Sequence, residues 1–370
     1  MLSKAFVSSL QFQGNIDNIE VTSTSGEILQ DRSSTGRERP WRKRKRESEY
    51  LAESYERLGK REKAERCACC GCFLRFEVCP SGHYKRLAGA HFCKDRLCPM
   101  CAWRRSLMLS MQIRKVAHVA NEREKLRWLF LTLTVRNVEG DSLSSMIDEL
   151  FASWKRLANR KVFKEKVVGW FRALEVTRNS DRNSGSFDTY HPHFHVLLAV
   201  RPSYFSRGYV THNDWTSLWK SALGVDYTPI VDIRRVKPKD KPMEFMDDEF
   251  DVQGDELRVK SLESAVVETA KYPVKPVSYL IKGNEEETDR AVEVLDGALA
   301  HRRLLGYGGL LKTIWNELKA AGEVSDVEAD NADLVHVDNA PESCTCPTCN
   351  SDLMETVYQW QRGFKNYVSL

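Results

Sequence analysis

The sequence predicts an α+β protein in which an antiparallel sheet with flanking helices follows a small metal-stabilised module. Three observations carry that expectation. Segments 127–135, 167–177 and 190–200 are rich in β-branched and aromatic residues, and the polar run from Asn179 to Ser186 turns the last two into a hairpin. Leu143, Met146, Leu150, Phe151, Trp154 and Leu157 recur at helical spacing. Eight of the eleven cysteines crowd between Cys67 and Cys101, and two-residue spacing lets paired thiolates reach one tetrahedral zinc.

Composition bounds the rest. With 370 residues, 42% hydrophobic, the chain has room for two to three domains and a sizeable core. No apolar run is long enough to span a bilayer, and the N-terminus lacks an export signal, so the expected location is cytoplasmic with no membrane partner. In that compartment clustered cysteines point to metal rather than disulfides. The net charge is only +4, but segment 37–66 is densely basic and 320–343 holds acidic residues without Lys or Arg.

In chain order, residues 1–36 read as a disordered tail and 37–66 as a basic arm running into a charged helix over 47–65. The arm is either a solvated face or a phosphate-contacting element. Residues 67–106 form the zinc module. Cys93, Cys98 and Cys101 are its firmest ligands, then Cys70 and Cys67, with Cys69, Cys72, Cys79, His83 and His91 as substitutes. A structural site is expected. Lys94, Arg96, Arg104 and Arg105 surround it and are available to DNA or to solvent. The main domain spans 107–320: a helix over 103–124, a strand at 127–135, the helix from Asp141, the hairpin, a helix over 213–222 and a strand at 231–236, whose Arg234 and Arg235 suit a nucleic-acid backbone. Residues 237–255 read as an inserted surface loop. A helical segment over 262–272 stacks Glu268 against Tyr272, with Lys275 a turn beyond, although Pro273 and Pro276 must kink or restart it. Helices over 287–301 and 310–320 follow, interrupted at Gly306–Gly309. Residues 321–370 read as an acidic linker and a Cys-rich tail, whose three thiols Cys344, Cys346 and Cys349 lack a fourth ligand.

The stretch Tyr190-His-Pro-His-Phe-His195 carries the chemistry. On a strand His191, His193 and His195 share one face while Phe194 packs behind them. Three imidazoles on one face need partners, which a cation supplies. Glu175, on the paired strand, is a carboxylate ligand if it shares that face.

The motif order Phe130-Leu-Thr-Leu-Thr134, His191-Pro-His-Phe-His195 and Glu268-x-x-Lys-Tyr272-x-x-Lys275, preceded by Phe92-Cys-Lys-Asp-Arg-Leu-Cys-Pro-x-Cys101 and Trp103-Arg-Arg-Ser106, resembles replication initiators of rolling-circle plasmids in the HUH endonuclease superfamily. The resemblance covers about residues 65–320. It implies an HUH nicking domain with a five-stranded antiparallel sheet, the histidine strand at its centre and the tyrosine on a facing helix. His193 and His195 are then ligands of Mg²⁺ or Mn²⁺, with Glu175 or His191 as third ligand. Tyr272 is the nucleophile, Lys271 and Lys275 give electrostatic help, and Glu268 activates water for the terminating cleavage. The implied partners are origin DNA, single-stranded or hairpin at the nick, with Trp170, Phe171 and Tyr190 as stacking candidates, and a host helicase, DNA polymerase and single-strand-binding protein. Competing readings are a transposase or relaxase of the same superfamily, a histidine-triad nucleotide hydrolase with His193 as nucleophile, and a non-catalytic zinc-dependent regulator.

Overall fold

The computed structural model describes residues 26–33, 36–236, 262–271, 274–337 and 344–370. In chain order its elements are α1 (Trp41–Arg57), α2 (Arg61–Cys69), β1 (Phe73–Val78), β2 (Lys85–Ala90), α3 (Pro99–Arg123), β3 (Arg127–Thr134), α4 (Gly140–Ala158), α5 (Lys161–Lys166), β4 (Val167–Arg178), β5 (Tyr190–Val200), α6 (Tyr204–Arg207), α7 (His212–Leu223), β6 (Val231–Val236), α8 (Leu262–Ala270), α9 (Glu285–Leu299), β7 (Leu305–Gly308), α10 (Gly309–Ala320), β8 (Met354–Gln361) and β9 (Asn366–Ser369). The surface loop expected over 237–255 lies outside the described residues, as do most of the N-terminal tail and Tyr272 itself.

The chain is α+β, with every strand pair antiparallel. Five strands form one sheet in the order β6-β3-β5-β4-β7, so the histidine strand β5 is flanked on both sides. Pairing fixes which side chains meet. Thr134 and Glu175 both sit opposite His193, while Thr132 and Ala173 sit opposite His195. Phe194 projects to the other face, against Phe151 and Trp154 of α4. On the histidine face α8 packs against β4 and β5, and it also packs against α3.

Local chemistry sets several boundaries. Proline at the first turn of α3 starts it directly after Cys98. The Thr211 and Asp214 capping box opens α7, and Gly224 in the left-handed region closes it. The glycine run expected to interrupt two helices instead forms β7, because a Cβ on Gly308 would lie 2.1 Å from the Trp170 ring. Only glycine lets that edge strand approach β4 so closely.

A second sheet, β2-β1-β8-β9, joins the N-terminal cysteine region to the C-terminus. The tail is not free: Phe73–Val78 pairs residue by residue with Gln359–Met354. The acidic segment is also packed, with Val324, Val327, Ala332, Leu334 and Val337 buried and the Glu328 carboxylate accepting from the backbone N–H groups of Leu304 and Leu305. The basic stretch forms α1 rather than a solvated arm, burying Trp41, Arg44, Lys45, Ser48, Leu51, Ala52 and Tyr55 along one face. Among the described residues no helix is long and apolar enough to cross a membrane.

Candidate metal centres and the surrounding site

Antiparallel register brings Glu175, His193 and His195 together, their donor atoms within 4.8 Å of one another and all three residues buried. His195 Nε2 lies 3.1 Å from Glu175 Oε2 and His193 Nε2 lies 3.8 Å from the same oxygen. The far side of each ring is held. His193 Nδ1 donates to the His191 carbonyl at 3.0 Å, and His195 Nδ1 is 3.2 Å from Thr132 Oγ1. Phe130 stacks on the His195 ring with centroids 5.3 Å apart. Each Nε2 is thereby aimed at the carboxylate, as a ligand nitrogen must be. Burial alone would raise the Glu175 carboxyl, but hydrogen bonds and charge from His193 and His195 outweigh it and hold it well below the ordinary range. Two imidazoles and an ionised carboxylate fit a divalent cation.

His191 stays outside this convergence. It stacks on His193 with centroids 5.2 Å apart, and burial followed by the neighbouring His193 charge lowers it to about 4. Its contribution to the cluster is the backbone carbonyl that orients His193.

The α8 helix carries Glu268 to the same place, its Oε1 3.9 Å from His195 Nε2. Lys271 pairs with Glu268, so the ion pair and the histidine contact coexist. Lys275 Nζ is 3.5 Å from Glu175 Oε1. The chain leaves α8 at Ala270 and makes a 3₁₀ turn at Pro276–Ser278.

The sulfurs of Cys70, Cys93, Cys98 and Cys101 also converge within 4.8 Å, all buried. Cys70 to Cys101, Cys93 to Cys101 and Cys98 to Cys70 are each 3.6 Å apart. Zinc–sulfur bonds of about 2.3 Å place tetrahedral sulfurs about 3.8 Å apart, so this cluster has zinc dimensions. The backbone N–H groups of Cys93 and Lys94 point at the sulfurs of Cys70 and Cys101 at 3.4 and 3.2 Å. Cys67 is a neighbour, 3.8 Å from Cys93, but does not share the common point.

Other basic residues offered to DNA or solvent make contacts within the chain, Arg235 while remaining exposed. Arg96 donates to the carbonyls of Leu299 and Arg302. Buried Arg104 donates to those of Leu334 and Val335, and buried Arg105 to those of Lys94 and Asp95. Arg234 pairs with Asp232 at 2.7 Å, and Arg235 lies over the Phe205 ring. Phe171 and Tyr190 are 0% and 2% exposed, so they are core rather than stacking platforms. Trp170 is half-buried and packs edge-on against Trp154. Sequence reasoning missed Thr132 and Lys45, which support the two clusters; the alternating Thr-Leu-Thr of β3 was the available signal for the first.

A sheet that presents two histidines and a glutamate to a helix, in a chain that also gathers a buried four-cysteine cluster, defines a protein built around candidate metal centres. Its sequence places it more narrowly. Residues 84–368 match the family model described as "Replication protein". A "Protein rep" of Bacillus amyloliquefaciens is 42% identical over 350 residues, covering 92% of this chain and 97% of the relative. Another from Bacillus sp. is 44% identical over 78% of this chain and 91% of its own length, and one from Streptococcus pneumoniae serotype 2 (strain D39 / NCTC 7466) is 41% identical over 84% and 87%. The chain belongs to the replication protein family, in agreement with the resemblance its motifs carry. No solved structure matches it.

Proposed function

We propose that this chain initiates rolling-circle replication of a plasmid, nicking the plus strand at the double-strand origin as a nuclease of the HUH fold. The supporting observation is the meeting of α8 with the histidine strand. Glu268 reaches within 3.9 Å of His195, and Lys275 within 3.5 Å of Glu175, so residues on both sides of Tyr272 in sequence contact the His193, His195 and Glu175 cluster. Tyr272 lies outside the described residues, and its role rests on that bracketing and on the motif. The five-stranded sheet with β5 in the middle accords with the HUH fold.

A bound Mg²⁺ or Mn²⁺ would polarise the scissile phosphate and offset the charge that develops there. His193, His195 and Glu175 would hold it. The Tyr272 oxygen bonds to phosphorus as the bond to the 3′ oxygen breaks; the phenol gives up its proton and the departing oxygen gains one. The products are a 5′-phosphotyrosine link and a 3′-hydroxyl that primes synthesis. Lys275 and Lys271 add positive charge beside the reacting phosphate. Glu268 takes the proton from water in the terminating cleavage. The four-cysteine cluster holds structural zinc, and host helicase, polymerase and single-strand-binding protein complete the reaction.

The test uses single-stranded oligonucleotides tiling the origin, with wild type, Tyr272→Phe and Glu268→Ala, in Mn²⁺, Mg²⁺ or EDTA. A covalent band on a denaturing gel should require Tyr272 and metal. Mn²⁺ and Mg²⁺ should each support it, and EDTA should abolish it. Glu268→Ala should form the adduct yet resolve it about 10²–10⁴-fold more slowly. Cleavage surviving in Tyr272→Phe would sink the assigned nucleophile, and tight binding without any cleavage would favour a regulator.

A further inference from the structure

We propose that Cys79, His83, Cys346 and Cys349 bind a second structural zinc ion, which clasps the C-terminus of the chain to the N-terminal module. Their donor atoms lie within 4.8 Å of one another, apart from the four-cysteine cluster. The Cys79 and Cys349 sulfurs, 270 residues apart in sequence, are 3.5 Å apart, and His83 Nδ1 is 3.9 Å from the Cys79 sulfur. Three sulfurs and one imidazole nitrogen are a donor set of structural zinc, and these spacings are those of donors around one tetrahedral centre.

Strand register builds the site. Val78 pairs with Lys85 on one side and Met354 on the other, so the β1–β2 turn and the segment before β8 end at the same corner of the sheet. In that turn the Cys79 N–H donates to the Tyr84 carbonyl and Gly82 takes a φ of +73°, which brings His83 back beside Cys79. The other half is a Cys-Pro-Thr-Cys knuckle. The Thr348 N–H points at the Cys346 sulfur at 3.4 Å, the Asn350 N–H donates to the Cys346 carbonyl at 2.8 Å, and Asn350 adopts a φ of +59°. Thr345 bridges Asp352 across its base. Backbone N–H aimed at sulfur stabilises thiolate, the form that binds metal. Cys344 stays outside this group, so the C-terminal knuckle supplies two donors and the β1–β2 turn the other two.

A wild-type measurement decides the matter without a folding variant. Cys344 and Cys349 are both exposed, so in a metal-free knuckle burial shields neither from alkylation. In zinc-replete full-length protein under a phosphine reductant, iodoacetamide labelling followed by peptide mass spectrometry should modify Cys344 at least about ten times faster than Cys349, Cys346 or Cys79. A strong chelator should abolish that protection, which a disulfide would not lose to chelation. Equal rates for Cys344 and Cys349 in zinc-replete protein, or protection indifferent to the chelator, would overturn the proposal. Zinc content gives an independent reading: Cys349→Ser should carry one zinc fewer per chain than wild type, whereas Cys344→Ser should carry the wild-type amount. A Cys349→Ser protein that keeps full zinc would also overturn it. Neither readout involves DNA cleavage, so the result stands apart from the nicking activity.

Discussion

Lys45 lies in the most basic stretch of the chain, yet it is 0% exposed. Its ammonium donates to the carbonyls of Ala68 and Cys70 at 2.5 and 3.0 Å, and lies 3.2 Å from the Cys72 sulfur. A zinc ion held by four thiolates carries a net charge of about −2, so a buried cation bonded to a ligand's own carbonyl offsets it at short range. Lys45→Met keeps the stem packed but leaves the buried Cys70 carbonyl without its ammonium donor, while the Ala68 carbonyl keeps the Cys72 thiol. It should cost about 1–3 kcal/mol in urea unfolding of the zinc-loaded protein. A loss within about 0.5 kcal/mol would mean the charge is dispensable there. The position was readable in principle. Trp41, Arg44, Lys45, Ser48, Leu51, Ala52 and Tyr55 follow a helical stripe, but two of its members are charged, and charge weighs against burial when the helix's partners are unknown.

At the scale of elements, α9 is pinned to the histidine hairpin by one carboxylate. Glu287, in its first turn, accepts from Arg178 at the end of β4 at 2.7 Å and from Arg182 in the hairpin turn at 2.6 Å. Burial pushes its carboxyl up, but the two arginines more than compensate and hold it below the usual 4.5. A depressed folded-state pKa contributes stability that is complete above the unfolded value and fades as pH falls through the folded one. Glu287→Gln should therefore cost about 3 kcal/mol near neutral pH, and its deficit against wild type should shrink progressively below pH 4.5. Parallel urea titrations at the two extremes check this, and a pH-independent deficit would locate the effect in packing instead. Legibility also divides by element. The hairpin, its Glu175 and the His193 and His195 face could be read because a strand's two-residue period fixes facing once pairing is known. Strands β7, β8 and β9 could not: four glycine-rich residues, and a tail whose partner strand lies far back in the chain, carry no local period. His191 had the right phase, but strand phase does not specify which of three aligned rings meets a carboxylate across the sheet.

For the whole molecule, the C-terminal strands close the module that the cysteines begin. In the order β2-β1-β8-β9, β8 covers β1, which would otherwise present an unpaired edge. The Trp360 N–H donates to the Cys72 carbonyl and the Tyr367 hydroxyl to the Gly71 carbonyl at 2.6 Å, both next to the ligand Cys70. The Trp360 indole also donates to Glu49 of α1 at 2.8 Å. The last residues of the chain thus fix the backbone at the four-cysteine cluster, while among the described residues no strand of the five-stranded sheet pairs with them. Removing residues 344–370 should leave the two parts unequal. Hydrogen exchange in β1 and α1 should accelerate towards that of locally unfolded chain, and zinc at Cys70 should become easier to extract, while β3 and β5 keep their protection. Unchanged exchange in β1 would mean that α1 and the four-cysteine cluster suffice to hold the module. Faster exchange throughout β3 and β5 would mean instead that the module and the histidine sheet unfold as one unit, so that loss of the C-terminal strands reaches the metal-ready histidines through α3 and α8.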